Sequence, residues 1–198
     1  LKWWVDDVNN YSSEAMTFDG LLEEAEKAHP GSDGLVFLPY LMGERTPYSD
    51  PYAKGSFIGL SITHNRGNMT RSILEGVAFG LRDSLELIKD LNIPVKEVRV
   101  SGGGAKSKLW RQILADIFNV RIDMINATEG PSYGAAIMAS VGYGLFNDVD
   151  EACSKLIKVT DSVYPIQENV EKYNKLYPIY VSLYLKLKGT FEEIAKLN

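Results

Sequence analysis

The sequence predicts an α/β fold with a parallel strand pair and flanking helices. Between Val95 and Phe146 the chain alternates strand, loop, helix, strand, loop and helix, an order typical of parallel strands. A long amphipathic helix precedes this stretch, with apolar residues at steps of three and four from Met69 to Ile88. The composition, with 45% hydrophobic and 24% charged residues, is that of an ordinary globular protein.

The amino-terminal part of the chain predicts two short helices, over Leu1–Val8 and Phe18–Ala28. Turn-forming residues over 29–34 end the second helix. The apolar run Leu35–Leu38 then predicts a buried strand. A long polar loop follows over 40–54, and loops of this length in compact domains are usually functional or disordered.

The long amphipathic helix has clear signals at both of its ends. A further strand is predicted over Phe57–Leu60, just before it. Asn68 is a good N-cap residue for the helix, and the proline of Asn92-Ile93-Pro94 ends it.

The alternating region contains strands over Val95–Val100 and Val120–Met124 and helices over Ser107–Phe118 and Tyr133–Phe146. We expect the two strands to be parallel neighbours, connected by a right-handed crossover through the first of these helices. The loops that follow the two strands should then open on the same edge of the sheet.

The carboxyl-terminal part predicts a short helix over Asp150–Lys158 and a long one over Val170–Leu197. Pro178 should kink or split the long helix. Tyrosine and leucine residues share one of its faces, which is more typical of a core than of a recognition surface. The sequence leaves open whether this helix also forms a homodimer.

Charge, cysteine content and hydropathy exclude several classes of protein. The net charge is −5 and there is no basic stripe, so a nucleic-acid binder is not expected. Cys153 is the single cysteine, which excludes an intrachain disulfide, and the two histidines form no zinc pattern. No apolar run approaches the ~20 residues of a membrane span, and the first residues do not form a signal peptide. We expect a cytoplasmic protein that binds small molecules. We interpret the chain as part of a longer protein.

A run of three glycines, Gly102-Gly103-Gly104, leaves the first strand of the alternating region, and Ser107 opens the next helix. A backbone without side chains lets a ligand approach closely, and the helix amino terminus favours phosphate or ribose oxygens. The run is not a Walker A loop. It matches half of a Rossmann fingerprint, since Ser107 replaces the third glycine and Asp123 lies in the middle of its strand. On these residues alone, nucleotide contact and a purely structural turn remain open.

Two other loops contain residues that could contact a ligand. The second loop, Glu129–Ser132, leads into a helix rich in small residues, for which we favour close packing over ligand binding. In the long polar loop, Arg45 could clamp a phosphate or carboxylate. We favour a hydrogen-bond network that holds the loop, with Glu44 as the partner.

Taken together and in order, these motifs resemble the carbohydrate kinases of the FGGY type, and among them the xylulose kinases. Four segments carry the resemblance: Phe37–Leu41 with Gly43–Pro47, Gly55–Leu60 with Asn68–Glu75, Gly102–Ser107 with Trp110–Gln112, and Glu129–Pro131 with Gly134–Ala136. The resemblance implies an actin-like, ribonuclease-H-like ATPase fold with two domains and ATP in the cleft between them. Residues 1–198 would be most of the carboxyl-terminal, nucleotide-side domain, without the amino-terminal sugar-binding domain.

The resemblance also implies roles for individual residues. Gly103, Gly104 and Ser107 would contact the adenosine end of ATP, and Lys2 falls where related glycerol kinases have a nucleotide-side glutamine. The complete enzyme would use ATP and Mg²⁺ to phosphorylate D-xylulose. Its catalytic aspartate lies upstream in the family, so no catalytic residue is expected in this chain and the chain alone should be inactive.

Three alternatives remain. One is another FGGY sugar kinase, acting on gluconate, glycerol or ribulose. The second is a fragment of a dinucleotide-binding oxidoreductase. The third is a non-catalytic, actin-like scaffold.

Overall fold

The computed structural model describes residues 1–9, 17–127 and 130–197. The chain divides into two compact units. The first comprises Leu1–Pro94, Asp116–Phe118 and Ile166–Asn198, and the second comprises Val95–Ala115 and Asn119–Pro165. Within the described ranges no helix is both long and apolar enough to cross a bilayer.

The first unit consists of helices around a two-stranded antiparallel sheet. Its elements are a π-helix at Trp4–Val8, α1 at Phe18–Lys27, a 3₁₀ turn at Ser32–Gly34, β1 at Val36–Leu38, β2 at Ser56–Ile58, α2 at Arg66–Asp90 and, at the carboxyl end of the chain, the helix Gln167–Ala195. β1 and β2 pair with Phe37 opposite Phe57. The predicted helices and strands of this region are confirmed, with small shifts of their ends.

The predicted N-cap of α2 is wrong by three residues. Asn65 caps the helix, and its side chain accepts a hydrogen bond from the Asn68 N–H at 3.1 Å. The Asn68 side chain accepts in return from the Asn65 N–H at 3.1 Å. Asn68 therefore closes the second half of a capping box, a reciprocal arrangement that satisfies two amide groups at the start of the helix.

The core of the first unit forms where α2 lies directly on β1. Its buried cluster contains Trp4, Val5, Leu21, Phe37 and Ile73. A Cβ atom at Gly76 would lie 2.2 Å from the carbonyl oxygen of Phe37, so only glycine permits this approach of helix and strand.

A buried polar network lies beside this core, centred on the carboxylate of Glu75, which is 2% exposed. It accepts hydrogen bonds from Arg71 Nε at 2.8 Å and from the Tyr173 hydroxyl at 2.7 Å. The backbone N–H of Gly31 and the hydroxyl of Ser32 each donate to it at 2.8 Å. The network therefore joins α2, the 29–34 turn and the carboxyl-terminal helix.

The tyrosine face of the carboxyl-terminal helix is core, as predicted. Tyr173, Tyr180 and Tyr184 are buried, and the Tyr184 hydroxyl donates to Asp50 at 2.9 Å. These side chains pack within the chain. The helix runs without interruption past Pro178, so the proline does not split it.

The second unit contains a three-stranded mixed sheet with helices. Its elements are β3 at Glu97–Val100, a 3₁₀ turn at Gly103–Lys106, α3 at Lys108–Phe118 (whose last turn belongs to the first unit), β4 at Arg121–Ile125, α4 at Gly130–Gly142, α5 at Val149–Leu156 and β5 at Val159–Val163. The carboxyl-terminal helix Gln167–Ala195 is α6.

The predicted parallel pair is confirmed, because β3 and β4 run parallel, with Glu97 opposite Arg121 and Val100 opposite Met124. β5, which the sequence analysis did not predict, pairs antiparallel with β4 on its other side. α4 begins at Gly130, three residues before the predicted start, with Pro131 in the first turn, where its missing N–H costs nothing.

Candidate functional site

The two glycine-containing loops meet at one edge of the second unit's sheet. The three-glycine run follows the carboxyl end of β3, and Gly130 opens α4 beyond the carboxyl end of β4. A Cβ atom at Gly130 would lie 2.9 Å from the hydroxyl oxygen of Ser101, which brings the two loops into direct contact. Thr128 and Glu129, at the start of the second loop, lie outside the described residues. The sequence analysis did not single out Ser101, although its place just before the glycines was the available signal.

The three glycines have different conformations and different surroundings. Gly102 has φ 85° and ψ −175°, a conformation that is essentially restricted to glycine. Gly103 and Gly104 are exposed and do not have positive φ. A Cβ at Gly103 would have no neighbour within 4 Å, and one at Gly104 would meet only the Trp110 ring, at 3.6 Å. Gly102 therefore makes the turn, while Gly103 and Gly104 leave open space beside the backbone.

Ser107 caps the helix that follows the glycines. Its hydroxyl oxygen accepts a hydrogen bond from the Trp110 N–H at 3.2 Å, and its own N–H donates to the Gly104 carbonyl at 3.1 Å. Ala105 is 5% exposed and anchors the turn between them. The loop is thereby fixed in front of the positive end of the α3 dipole, an arrangement suited to oxygen-rich, anionic ligands.

The carboxylate of Asp123 makes hydrogen bonds within the sheet. One carboxylate oxygen accepts from the Ser162 hydroxyl at 2.7 Å and the other from Arg121 at 2.8 Å. Burial by itself would raise the pKa of Asp123, but these two donors hold it below its ordinary value. The carboxylate is therefore not available to a ribose, which removes the acidic residue that a Rossmann-type dinucleotide site requires.

Lys2 lies in the first unit, exposed at the amino end of the chain. Gly103, Gly104 and Ser107 are brought together in the second unit. The nucleotide role of Lys2 stays a prediction.

The polar loop over 40–54 is held by Glu44, and the prediction that the Arg45 side chain makes this network is wrong. Its side chain accepts hydrogen bonds from the N–H groups of Arg45 and Thr46 at 2.6 and 2.9 Å. The backbones of Glu44 and Asp50 exchange a further pair, at 2.8 and 2.9 Å. The guanidinium of Arg45 is exposed and takes no part in this network.

The two histidines make polar contacts with residues close to them in sequence. His29 contacts Asp33 at 3.2 Å, and the His64 ring accepts from the Ser61 N–H at 2.9 Å. Across residues 1–9, 17–127 and 130–197, no cluster of three or more His, Cys, Asp or Glu side chains could hold a metal ion.

Comparison with known proteins decides the family. The sequence profile of the FGGY family of carbohydrate kinases, C-terminal domain, matches residues 1–143. The chain belongs to the FGGY family of carbohydrate kinases. The xylulose kinase of Bacillus subtilis is 40% identical over 172 residues, which cover 87% of this chain and 34% of that protein.

Solved structures of FGGY kinases share the fold. Gluconate kinase from Lactobacillus acidophilus matches with a TM-score of 0.86 and 32% identity, over 98% of this chain and 38% of its own. Ligand-bound xylulose kinase from the same organism matches with a TM-score of 0.85 and 33% identity, over 96% and 39%. The chain therefore spans between a third and two fifths of the length of these relatives.

Proposed function

We propose that the chain is most of the nucleotide-side, carboxyl-terminal domain of an ATP-dependent sugar kinase that phosphorylates D-xylulose. The observation that carries the proposal is the open glycine loop at the end of β3, in a chain that belongs to the FGGY carbohydrate kinases. A kinase of this kind acts on ATP and a sugar in the cytoplasm, the compartment that we propose for it.

The residues of this chain would hold the adenosine end of the nucleotide. Gly103 and Gly104 leave space for a ligand to lie against the backbone. Ser107 and the amino terminus of α3 supply polar groups and a positive dipole beside it. The resemblance adds Lys2 to the residues that we propose contact the nucleotide. Phosphoryl transfer depends mainly on positioning and charge stabilisation, so this domain would act by fixing the nucleotide.

The family's cofactor would be ATP with Mg²⁺. We propose no magnesium ligand among the residues of this chain. We also propose no catalytic residue in this chain, because the resemblance implies that the family's catalytic aspartate lies upstream of it.

D-gluconate is the second candidate substrate. The gluconate kinase structure matches this chain as well as the xylulose kinase structure does, with TM-scores of 0.86 and 0.85. Xylulose is favoured by the 40% identity to the Bacillus subtilis xylulose kinase.

The test is a coupled ADP-release assay with D-xylulose, D-gluconate, D-ribulose and glycerol. It is run on the chain alone and on the complete protein in which the chain occurs. We expect turnover by the complete protein, highest with D-xylulose, and none above background by the chain alone. A preference for D-gluconate would show that gluconate, and not D-xylulose, is the substrate. D-xylulose-dependent turnover by the chain alone would show that the chain does contain a catalytic residue.

A further inference from the structure

Trp110 lies beside the glycine loop, in the first turn of α3. The described atoms nearest to a Cβ atom at Gly104, its chain neighbours aside, would be Cδ1 and Nε1 of the Trp110 ring, at 3.6 and 3.7 Å. These two atoms form the outer edge of the five-membered ring of the indole. That edge therefore borders the side of Gly104 on which the backbone carries no side chain.

Trp110 also belongs to the apolar side of α3. Ile113 and Leu114, three and four residues further along the helix, are 1% and 3% exposed. Residues at this spacing share one face of a helix, so Trp110 continues the face that forms the core. Trp110 itself is half-buried. It is the residue at which this apolar face reaches the open space beside the glycines.

The indole N–H of Trp110 is a hydrogen-bond donor that the fold does not use. A buried tryptophan N–H usually has a partner. That of Trp4, for example, donates to the Thr70 hydroxyl at 2.9 Å. In the part of the chain that the structure describes, the Trp110 backbone N–H donates to Ser107, whereas its indole Nε1–H has no partner. The open side of Gly104 is therefore bordered by an apolar ring with one unused donor.

We propose that Trp110 contacts the nucleoside part of the nucleotide, and that its indole Nε1–H donates a hydrogen bond to the ribose or the base. The inference rests on the proposed function, since it takes the ligand of the glycine loop to be a nucleotide. A ligand atom in the place of a Gly104 Cβ would lie 3.7 Å from Nε1. An acceptor displaced slightly toward the ring comes within hydrogen-bond distance, about 3 Å.

A contact with phosphate and a purely structural role are the two competing explanations. Phosphates are strongly hydrated anions, and placing one against the apolar ring of Trp110 would cost part of that hydration. A base with its ribose combines apolar surface with hydrogen-bond acceptors, which suits a half-buried indole. In the structural explanation, the ring supports the glycine turn and does not contact a ligand.

The first measurement is fluorine NMR of the complete protein, labelled with fluorotryptophan. The Trp110 resonance is identified by its absence from the spectrum of Trp110→Phe. The three probes are ADP, adenosine and pyrophosphate. ADP and adenosine should both shift the Trp110 resonance, and pyrophosphate should leave it in place.

The second measurement is the dissociation constant of each probe, by calorimetry. Trp110→Phe keeps an aromatic ring and removes the N–H. ADP and adenosine should therefore bind about threefold to tenfold more weakly, the range expected for one neutral hydrogen bond. The affinity for pyrophosphate should not change. Leu109→Ala, at another half-buried residue of the first turn of α3, is the matched control and should leave all three dissociation constants unchanged.

Equal weakening of all three probes by Trp110→Phe would mean that Trp110 only supports the loop, and the proposal would be wrong. It would also be wrong if pyrophosphate shifts the Trp110 resonance and adenosine does not, since the contact would then be with phosphate. If Trp110→Phe does not fold, Trp110→Tyr identifies the resonance, and the shifts in the unsubstituted protein decide.

Failure of the proposed function gives a different result from failure of this inference alone. If ADP does not bind the complete protein, the proposed function is wrong and the role of Trp110 is wrong with it. If ADP binds and the Trp110 resonance does not move, the nucleotide site stands and only the role of Trp110 is wrong.

Discussion

The three glycines after β3 should separate into one that is required for folding and two that face a ligand. Gly102→Ala places a side chain on a residue with φ 85° and ψ −175°. Nothing lies within 4 Å of the added Cβ, so the cost arises from the backbone conformation alone, about 1–3 kcal/mol. Gly103→Ala is the matched control. It adds the same atom to equally open space, at a residue without positive φ, and should cost nothing or stabilise by up to about 1 kcal/mol.

The measurement is urea denaturation followed by the indole N–H resonance of Trp110, which lies in the same unit as the glycines. With a slope of about 2 kcal/mol per M, a loss of about 2 kcal/mol lowers the midpoint by about 1 M. Gly103→Ala should leave the midpoint unchanged or raise it slightly. Equal midpoints for the two variants, or a larger loss for Gly103→Ala, would refute the separation of roles.

Three further predictions follow from the site and the core. Gly104→Val should weaken ATP binding by the complete protein at least about tenfold, roughly 1.4 kcal/mol by calorimetry. Gly189→Val, at a residue where an added Cβ meets nothing within 4 Å, should not. Glu75→Gln leaves the buried charge of Arg71 without its partner and should cost about 3 kcal/mol in urea denaturation; a loss below about 1 kcal/mol would contradict this. Burial raises the pKa of Asp83 to about 6, above the 3.8 of an ordinary aspartate. The folded protein therefore favours the protonated form, and this stabilisation is lost as the pH rises from 4 to 6. An asparagine cannot ionise, so the free energy of unfolding of Asp83→Asn should rise relative to that of the original protein by up to about 3 kcal/mol between pH 4 and 6. If the free energies of unfolding of the two proteins change in parallel with pH, the raised pKa of Asp83 is wrong.

Local patterns were sufficient to predict the elements whose burial is one-sided. The apolar stripe of α2, the tyrosine face of α6 and the β3–α3–β4 order each repeat with the period of their own element. The structure confirms all three. Such elements are predictable because each buries its apolar side whatever the partner is.

β5 escaped prediction because its stability is not local. Val159–Val163 is polar and largely exposed, so it shows no hydrophobic alternation. It is held by backbone pairing with β4, for example Ile122 opposite Val163, and such hydrogen bonds do not depend on side-chain type. The true N-cap of α2 was missed for a related reason, since Asn65 and Asn68 are both good capping residues and only their reciprocal hydrogen bonds decide between them.

By itself the sequence determined the family resemblance, the parallel strand pair and the loop in which a nucleotide site is proposed, because motifs and periodicity are properties of neighbouring residues. Only the tertiary structure decided which glycine makes the turn and which two leave open space, since identical residues differ only in the backbone angles that their surroundings impose. It also decided that the Asp123 carboxylate accepts hydrogen bonds from Ser162 and Arg121. These properties depend on contacts between residues that are distant in sequence, which no local pattern records.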